Sequence, residues 1–253
     1  TLLAGIDKKQ TKLKYTEQIT NNQIRTAENM QTLESLRAMI GQLVNTRTTL
    51  IFQMEQAKEY GKKAAIKDNA QFWEDGVVAE MSYGAATIAD ELVNTNIDWD
   101  IILVPIGNGS LIKGISSLFK EVKPETQVIG LVTSGAPVME KAITGQQFDI
   151  NEPTKTEADG LEVRIPIMKI SEEIRHLIDD IWIIPESMLL PAVKTLMEYD
   201  QVMTEPSASI TIAACIKNQS LISGKKVAAI ITGSHLKSSL LCQLAETETL
   251  LKN

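Results

Sequence analysis

The sequence predicts an α/β fold in which a mostly parallel sheet is flanked by helices and preceded by a helical N-terminal segment. From residue 100 onward, short runs of β-branched residues and leucine recur, as in parallel strands whose two faces are both buried. Segments of helical length separate these runs, which implies parallel pairing through right-handed crossovers. Residues 1–56 differ, because they contain no proline and have glycine only at Gly5 and Gly41.

The N-terminal segment, residues 1–56, is expected to form an amphipathic helix after a solvated arm that includes Lys8–Lys14. Leu36, Leu43 and Leu50 recur every seven residues and form one apolar stripe. Either this helix packs on its own domain, or it pairs with a second copy in a homodimer. The change in composition predicts a domain boundary between residues 56 and 57, so that residues 57–253 form the α/β domain.

The elements predicted after residue 56 alternate between helix and strand. A helix is predicted to end at Gly61, since glycine suits a left-handed helix stop, and a short strand is predicted to follow at Lys63–Lys67. Strands are then predicted over residues 100–105, 127–132, 180–184 and 226–231. The predicted helices cover residues 84–94, 110–120, 136–144, 187–199 and 206–218, with a polar loop over residues 146–160.

Composition limits the function classes. A net charge of −7 and an aromatic content of 4% argue against a nucleic-acid-binding surface. Cys215 and Cys242 have no spacing typical of a disulfide or a metal site. No apolar run reaches membrane-spanning length, and no signal peptide is recognisable. We therefore expect a cytoplasmic protein that binds a small molecule rather than nucleic acid, membrane or metal.

The most informative segment joins the strand over residues 100–105 to the next helix, and reads Gly107-Asn108-Gly109-Ser110. Small residues let backbone N–H groups approach an anion at a helix N-terminus, where the partial positive charge favours it. The segment is either a phosphate-binding loop or an ordinary strand-to-helix turn. Ligands of parallel sheets bind beyond the carboxyl ends of the strands, and Thr232–His235 also follows a predicted strand. We therefore expect one shared site at this edge.

Several sequence blocks carry a resemblance to a known family. They are Tyr83–Leu92, Pro105–Leu111, Thr156–Leu161, Glu205–Ser209 and Thr232–Lys237. In this order they resemble the fold-type II pyridoxal-phosphate enzymes, the group of threonine and serine dehydratases, threonine synthase and cysteine synthase. The resemblance implies pyridoxal 5'-phosphate as the cofactor. It also implies a lyase or a β- or γ-replacement activity on a hydroxy amino acid.

The resemblance also implies roles for single residues. The segment from Gly107 to Ser110 would hold the cofactor phosphate, and Thr232 would offer its hydroxyl to the pyridine nitrogen. Glu205 is expected as a carboxylate at a helix N-terminus rather than as a catalytic group. The glutamate that helps hold a cation in some relatives has no counterpart after the strand over residues 127–132, so no metal site is expected.

One part of the family pattern is missing from this sequence. Family members hold the cofactor on a lysine in an N-terminal block, which is followed by a small domain with a Ser-Gly-Asn loop, and neither block is found. Residues 1–56 would be a remnant or a replacement of that small domain. Lys67, in Ala65-Ile66-Lys67-Asp68-Asn69, mimics the lysine block and is the candidate Schiff-base residue; its alternative interpretation is an exposed lysine at a strand end.

Three functions are compatible with this sequence. The chain is an active pyridoxal-phosphate enzyme, a non-catalytic relative that binds a ligand or pairs subunits, or a structural α/β scaffold. We expect the first, with an amino acid as its small-molecule substrate.

Overall fold

The computed structural model describes residues 47–150 and 152–251, with side chains described from Gln56 onward. These residues form two compact units, which divide between Trp73 and Glu74. The domain boundary expected between residues 56 and 57 falls inside the first helix and remains a proposal. Leu36 and Leu43 of the apolar stripe, and the expected arm, lie outside the described residues.

The first unit contains the long helix α1, Arg47–Lys67. The predicted helix stop at Gly61 and the predicted strand at Lys63–Lys67 are both wrong, because the helix continues through them. Gly61 is buried, and a Cβ atom there would lie 2.7 Å from the Cε2 atom of Phe72. The lack of a side chain at Gly61 therefore leaves room for the ring of Phe72, and the helix does not end there. The chain turns after α1 at Asn69, which has a left-handed φ of +50°.

The second unit is built on a four-stranded parallel sheet, as predicted. The strand order is β3-β2-β1-β4, so β1 has β2 on one side and β4 on the other. The chain adds β2 and β3 on one side of β1 and then returns to add β4 on the other side, which makes a topological switch point between β1 and β4. Ligands of parallel sheets bind at the carboxyl ends of the strands beside such a point. The strands are β1 Ile101–Pro105, β2 Gln127–Thr133, β3 Asp180–Ile184 and β4 Val227–Ala229.

Helices separate these strands along the chain. They are α2 Ala79–Val93, α3 Ser110–Val122, α4 Val138–Thr144, α5 Met168–Arg175, α6 Leu189–Thr195, α7 Pro206–Lys217, α8 Gln219–Ile222 and α9 Ser238–Glu246. A 3₁₀ turn at Glu186–Met188 precedes α6, and a π-helical turn at Leu196–Asp200 follows it. Among the described residues, no helix has the length and apolar character that crossing a bilayer requires.

Both faces of the sheet are packed, because side chains of a strand alternate between its two faces. Ile102 and Val104 of β1 share one core cluster with Ile112 and Phe119 of α3. Ile101 and Leu103 belong to a second cluster, which includes residues of α7 such as Ile210 and Ala213. Burial of β1 along its whole length explains its unbroken apolar sequence. This central strand fixes the position of the loop that follows it.

Candidate active site

The loop between β1 and α3 consists of Gly107, Asn108, Gly109 and Ser110, and is called the anion loop below. Before it, Ile106 still follows the sheet, donating its N–H to the carbonyl of Leu131 at 2.8 Å. Within the described part of the chain, the N–H groups of Gly107, Asn108 and Gly109 have no protein acceptor. They stand at the N-terminus of a 13-residue helix, where the helix dipole favours a negative charge.

Gly109 is required at its position for two reasons. Its φ is +103° and its ψ is −12°, a left-handed conformation that suits glycine. A Cβ atom there would also lie 2.7 Å from the Cδ1 atom of Ile174 and 3.1 Å from that of Ile170. Both isoleucines belong to α5, which is not among the predicted helices. The spacing of Ile167, Ile170 and Ile174 at three and four residues is the signal that could have found it.

The two polar side chains of the anion loop contact a turn formed by Glu74–Val78. The Nδ2 atom of Asn108 donates to the Oδ2 atom of Asp75 at 3.1 Å. The N–H of Gly76 donates to the buried Oγ atom of Ser110 at 2.9 Å, so the hydroxyl proton of Ser110 can still be donated to a ligand. The Asp-Gly dipeptide indicates a turn in the sequence, but nothing there indicates which loop the turn contacts.

The segment after β4 leaves the sheet at the same edge as the anion loop. The register pairs Leu103 of β1 with Ala229 of β4, and Ile230 donates its N–H to the carbonyl of Leu103 at 3.0 Å. Gly107 and Thr232 therefore follow adjacent parallel strands on the two sides of the switch point. Thr232 is exposed. The structure brings the two predicted segments to one edge of the sheet.

Glu205 contacts the segment Thr232–Lys237, called the terminal loop below. It lies at the N-terminus of α7, as expected, but its carboxylate makes no capping hydrogen bond to that helix. Instead, its Oε2 atom accepts the backbone N–H of His235 at 3.2 Å. Gly233 has a φ of +98°, and a Cβ atom there would lie 2.5 Å from the Cδ atom of Glu205. The Glu205 carboxylate thus occupies the space where any other residue at position 233 would place its side chain.

A third motif joins this cluster. The N–H of Gly160 donates to the Oγ atom of Ser207 at 3.0 Å. The Nζ atom of Lys237 lies 3.4 Å from the Oδ2 atom of Asp159. The segments around residues 156–161, 205–209 and 232–237, which are far apart in the sequence, therefore meet around Glu205.

Glu162 lies directly after this cluster and has a perturbed pKa. Its Oε1 atom accepts hydrogen bonds from the Oγ1 atom of Thr154 at 2.6 Å and from Arg164 at 2.7 Å. Burial acts to raise the pKa of Glu162, but these hydrogen bonds and the positive charge of Arg164 outweigh burial and lower it below the ordinary 4.5. Glu162 is therefore ionised at neutral pH and ties the loop at Thr154 to the segment at Arg164.

Lys67 and Cys215 are the other side chains with candidate chemistry. Lys67 is the exposed last residue of α1 in the first unit, so it lies at a helix end rather than a strand end. Burial raises the pKa of the Cys215 thiol, which disfavours the reactive thiolate. Among the described residues, no group of three or more His, Cys, Asp or Glu side chains could hold a metal ion. The absence of a metal from the reaction remains a prediction.

Comparisons with known proteins point to one family. The sequence pattern of the family described as pyridoxal-phosphate dependent enzyme matches residues 19–233. The chain is 30% identical over 158 residues to L-threonine ammonia-lyase from Thermotoga maritima, a match that covers 62% of this chain and 39% of that protein. It is 26% identical over 195 residues to a catabolic L-threonine dehydratase from Staphylococcus aureus, covering 76% of this chain and 54% of that protein.

A solved structure has a similar fold. The processed form of threonine deaminase isoform 2 from Solanum lycopersicum superposes with a TM-score of 0.68 at 24% identity, covering 74% of this chain and 55% of that one. The chain thus spans about half the length of the relatives it matches. The family match includes the anion loop, Glu205 and Thr232 and extends over most of the sequence. This chain therefore belongs to the pyridoxal-phosphate dependent enzyme family, whose fold and cofactor the sequence blocks predicted.

Proposed function

We propose that this chain binds pyridoxal 5'-phosphate between its anion loop and its terminal loop and serves a lyase or a β- or γ-replacement reaction on a hydroxy amino acid. One observation carries the proposal: the two loops follow adjacent parallel strands on either side of the switch point. Relatives that are named for the deamination or dehydration of threonine support a hydroxy amino acid as the substrate class.

The anion loop suits the phosphate of the cofactor by its donor chemistry. The N–H groups of Gly107, Asn108 and Gly109 have no acceptor among the described residues, and the hydroxyl of Ser110 retains its proton for donation. Gly109 sets the conformation of the loop, because a Cβ atom there would be strained by the left-handed backbone and would collide with Ile174 behind the loop. We assign the phosphate group to these four residues.

We assign the pyridine nitrogen of the cofactor to the hydroxyl of Thr232. The cofactor, when bound, supplies an electron sink for the carbon next to the amino group, and a neutral hydroxyl leaves this sink weaker than a charged carboxylate would. Such a restrained sink suits loss or replacement of a β-substituent. Glu205 holds the loop that carries Thr232, through its hydrogen bond from His235 and its contact with Gly233.

Borohydride reduction followed by peptide mass spectrometry tests the proposal. We expect the purified chain to turn yellow with pyridoxal 5'-phosphate and to retain a reduced cofactor tag on one lysine, with Lys67 as the candidate. Lys67→Arg should then remove the tag, whereas the matched variant Lys63→Arg should keep it. A chain that binds inorganic phosphate but acquires neither colour nor tag would instead be the non-catalytic relative.

The same proposal includes a homodimer in the cytoplasm, on the strength of the leucine stripe and of a composition without an apolar run of membrane-spanning length. Sedimentation of the whole chain tests the dimer. Leu43→Lys should give a monomer if the stripe forms the subunit contact, and should leave the mass unchanged if it does not.

A further inference from the structure

The carboxylate of Glu186 joins two segments at the edge of the sheet where the proposed site lies. Glu186 opens the 3₁₀ turn that follows β3, so it stands beyond the carboxyl end of that strand. Its Oε1 atom accepts the backbone N–H of Gly135 at 3.0 Å, and its Oε2 atom accepts that of Glu157 at 3.4 Å. Each oxygen of the carboxylate therefore holds a different segment of the chain.

The first of these segments is the turn after β2. Glu186 donates its own N–H to the Oγ atom of Ser134 at 3.2 Å, and Ser134 donates its N–H to the carbonyl of Ile184 in β3 at 2.8 Å. The carbonyl of Gly135 accepts the N–H of Lys155 at 2.8 Å, and a Cβ atom at Gly135 would collide with the carbonyl oxygen of Lys155. Glu186 thus lies where the turn after β2 meets the second segment, residues 155–159, called segment 155–159 below.

Segment 155–159 carries a side chain that contacts the terminal loop. The segment passes through the fully buried Ala158 and enters the 3₁₀ turn at Asp159–Leu161. In this turn, the Oδ2 atom of Asp159 lies 3.4 Å from the Nζ atom of Lys237 in the terminal loop. Glu186 therefore holds one end of a short segment, and the other end of that segment holds the loop that carries Thr232.

We propose that Glu186 positions the terminal loop for the pyridine ring of the cofactor, through segment 155–159 and the ion pair between Asp159 and Lys237. This inference rests on the proposed function, because it takes the terminal loop as the part of the site that binds the ring. Glu186 is a positioning residue, since its hydrogen bonds go to backbone N–H groups of other segments. A carboxylate suits this role, because hydrogen bonds to a charged acceptor are stronger than those to a neutral one.

Calorimetric titration of the whole chain with two ligands separates this role from general support of the fold. Glu186→Gln keeps the size of the side chain but replaces one acceptor oxygen with an NH₂ group, so one backbone N–H loses its partner. We expect this variant to bind pyridoxal 5'-phosphate about three- to tenfold more weakly, the size of one lost hydrogen bond, and to bind inorganic phosphate as the natural chain does. The matched control is Glu157→Gln, which changes an exposed side chain of the same segment, contacts Glu186 through its backbone N–H alone, and should leave both affinities unchanged.

Asp159→Asn tests the other end of segment 155–159. Asp159 is exposed, so its substitution should leave the fold intact. Removal of its ion pair with Lys237 should weaken the binding of pyridoxal 5'-phosphate alone, by about two- to fourfold at low salt, and by less at about 1 M salt, where the charges are screened. The double variant with Glu186→Gln should bind the cofactor about as weakly as Glu186→Gln does, because both changes act through one segment.

These titrations distinguish failure of this inference from failure of the proposed function. If Glu186→Gln bound pyridoxal 5'-phosphate as tightly as the natural chain does, or lost affinity for both ligands equally, the role of Glu186 would be overturned and the proposed site would stand. If the natural chain bound neither ligand, or phosphate alone, the proposed function would itself be contradicted, and the role of Glu186 with it. Circular dichroism checks that each variant is folded. Where Glu186→Gln does not fold, Glu186→Asp, which keeps the charge but shortens its reach, takes its place.

Discussion

Two glycines near the C-terminus share a left-handed backbone but differ in what surrounds them. Gly233 has a φ of +98° and the Glu205 carboxylate where its Cβ would lie, whereas Gly224 has a φ of +78° and open space there. A side chain at position 224 would cost only the strain of the left-handed backbone. At Gly233 it must also displace a carboxylate that holds the terminal loop.

We therefore expect Gly233→Ala to lower the free energy of unfolding by about 1–3 kcal/mol more than Gly224→Ala does. Urea unfolding followed by circular dichroism measures both variants. Equal losses would show that the Glu205 side chain moves aside freely and that it does not fix the terminal loop.

Glu162 makes stability depend on pH in a defined direction. Its pKa is lower in the folded chain than the ordinary 4.5, so its contribution is fully present above that pH and is lost as the pH falls through the folded value. We expect Glu162→Gln to lower the free energy of unfolding by about 1–2 kcal/mol at neutral pH and by much less at an acidic pH below the folded pKa of Glu162. Urea unfolding at both pH values checks this. A loss of the same size at both values would mean that packing, rather than charge, explains the effect.

At the scale of elements, α5 supports the anion loop from behind. The Ile174 side chain is fully buried, and its Cδ1 atom fills the space beside Gly109. The conformation of the loop therefore depends on a helix that starts almost sixty residues later in the chain.

A double-mutant cycle measures this contact between Gly109 and α5. Gly109→Ala should destabilise the chain, because its Cβ atom meets both the left-handed backbone and the Ile174 Cδ1 atom. Ile174→Val removes that Cδ1 atom, so the double variant should be more stable than the sum of the single losses by about 0.5–1 kcal/mol. If urea unfolding showed that the two losses of unfolding free energy simply add, the contact would be contradicted. Ile143→Val removes the same methyl group elsewhere in this core cluster and is the control.

Sequence patterns predicted those parts of this fold whose structure leaves a pattern in a short stretch of sequence. The apolar runs of β1 and β2 indicate strands because burial on both faces leaves a pattern in the strand itself, and the glycines between β1 and α3 mark the anion loop. β4 is shorter than its apolar run, Lys226–Ile231, since only Val227–Ala229 pairs with β1. The contact of Asp75 with Asn108 spans 33 residues and has no period, so no pattern could reveal it.

At the scale of the whole molecule, the proposed site joins two halves of the second unit. The anion loop follows β1 and the terminal loop follows β4, and β1 and β4 are sheet neighbours although more than a hundred residues separate them along the chain. In the proposed site, the anion loop binds the phosphate of the cofactor, and the terminal loop binds its pyridine ring. Inorganic phosphate then reports on one half of the site, and pyridoxal 5'-phosphate reports on both.

Thr232→Val separates these two contributions, because valine keeps the shape of threonine and has a methyl group in place of the hydroxyl. We expect this variant to bind pyridoxal 5'-phosphate about three- to tenfold more weakly, the size of one lost hydrogen bond, and to bind inorganic phosphate as the natural chain does. Calorimetric titration with each ligand measures both affinities, and Gly109→Ala, which alters the anion loop, should weaken both. Thr232 is exposed, so the change should leave the fold intact. If Thr232→Val reduced phosphate binding as well, the terminal loop would itself be part of the anion site; if it affected neither ligand, the ring would bind elsewhere.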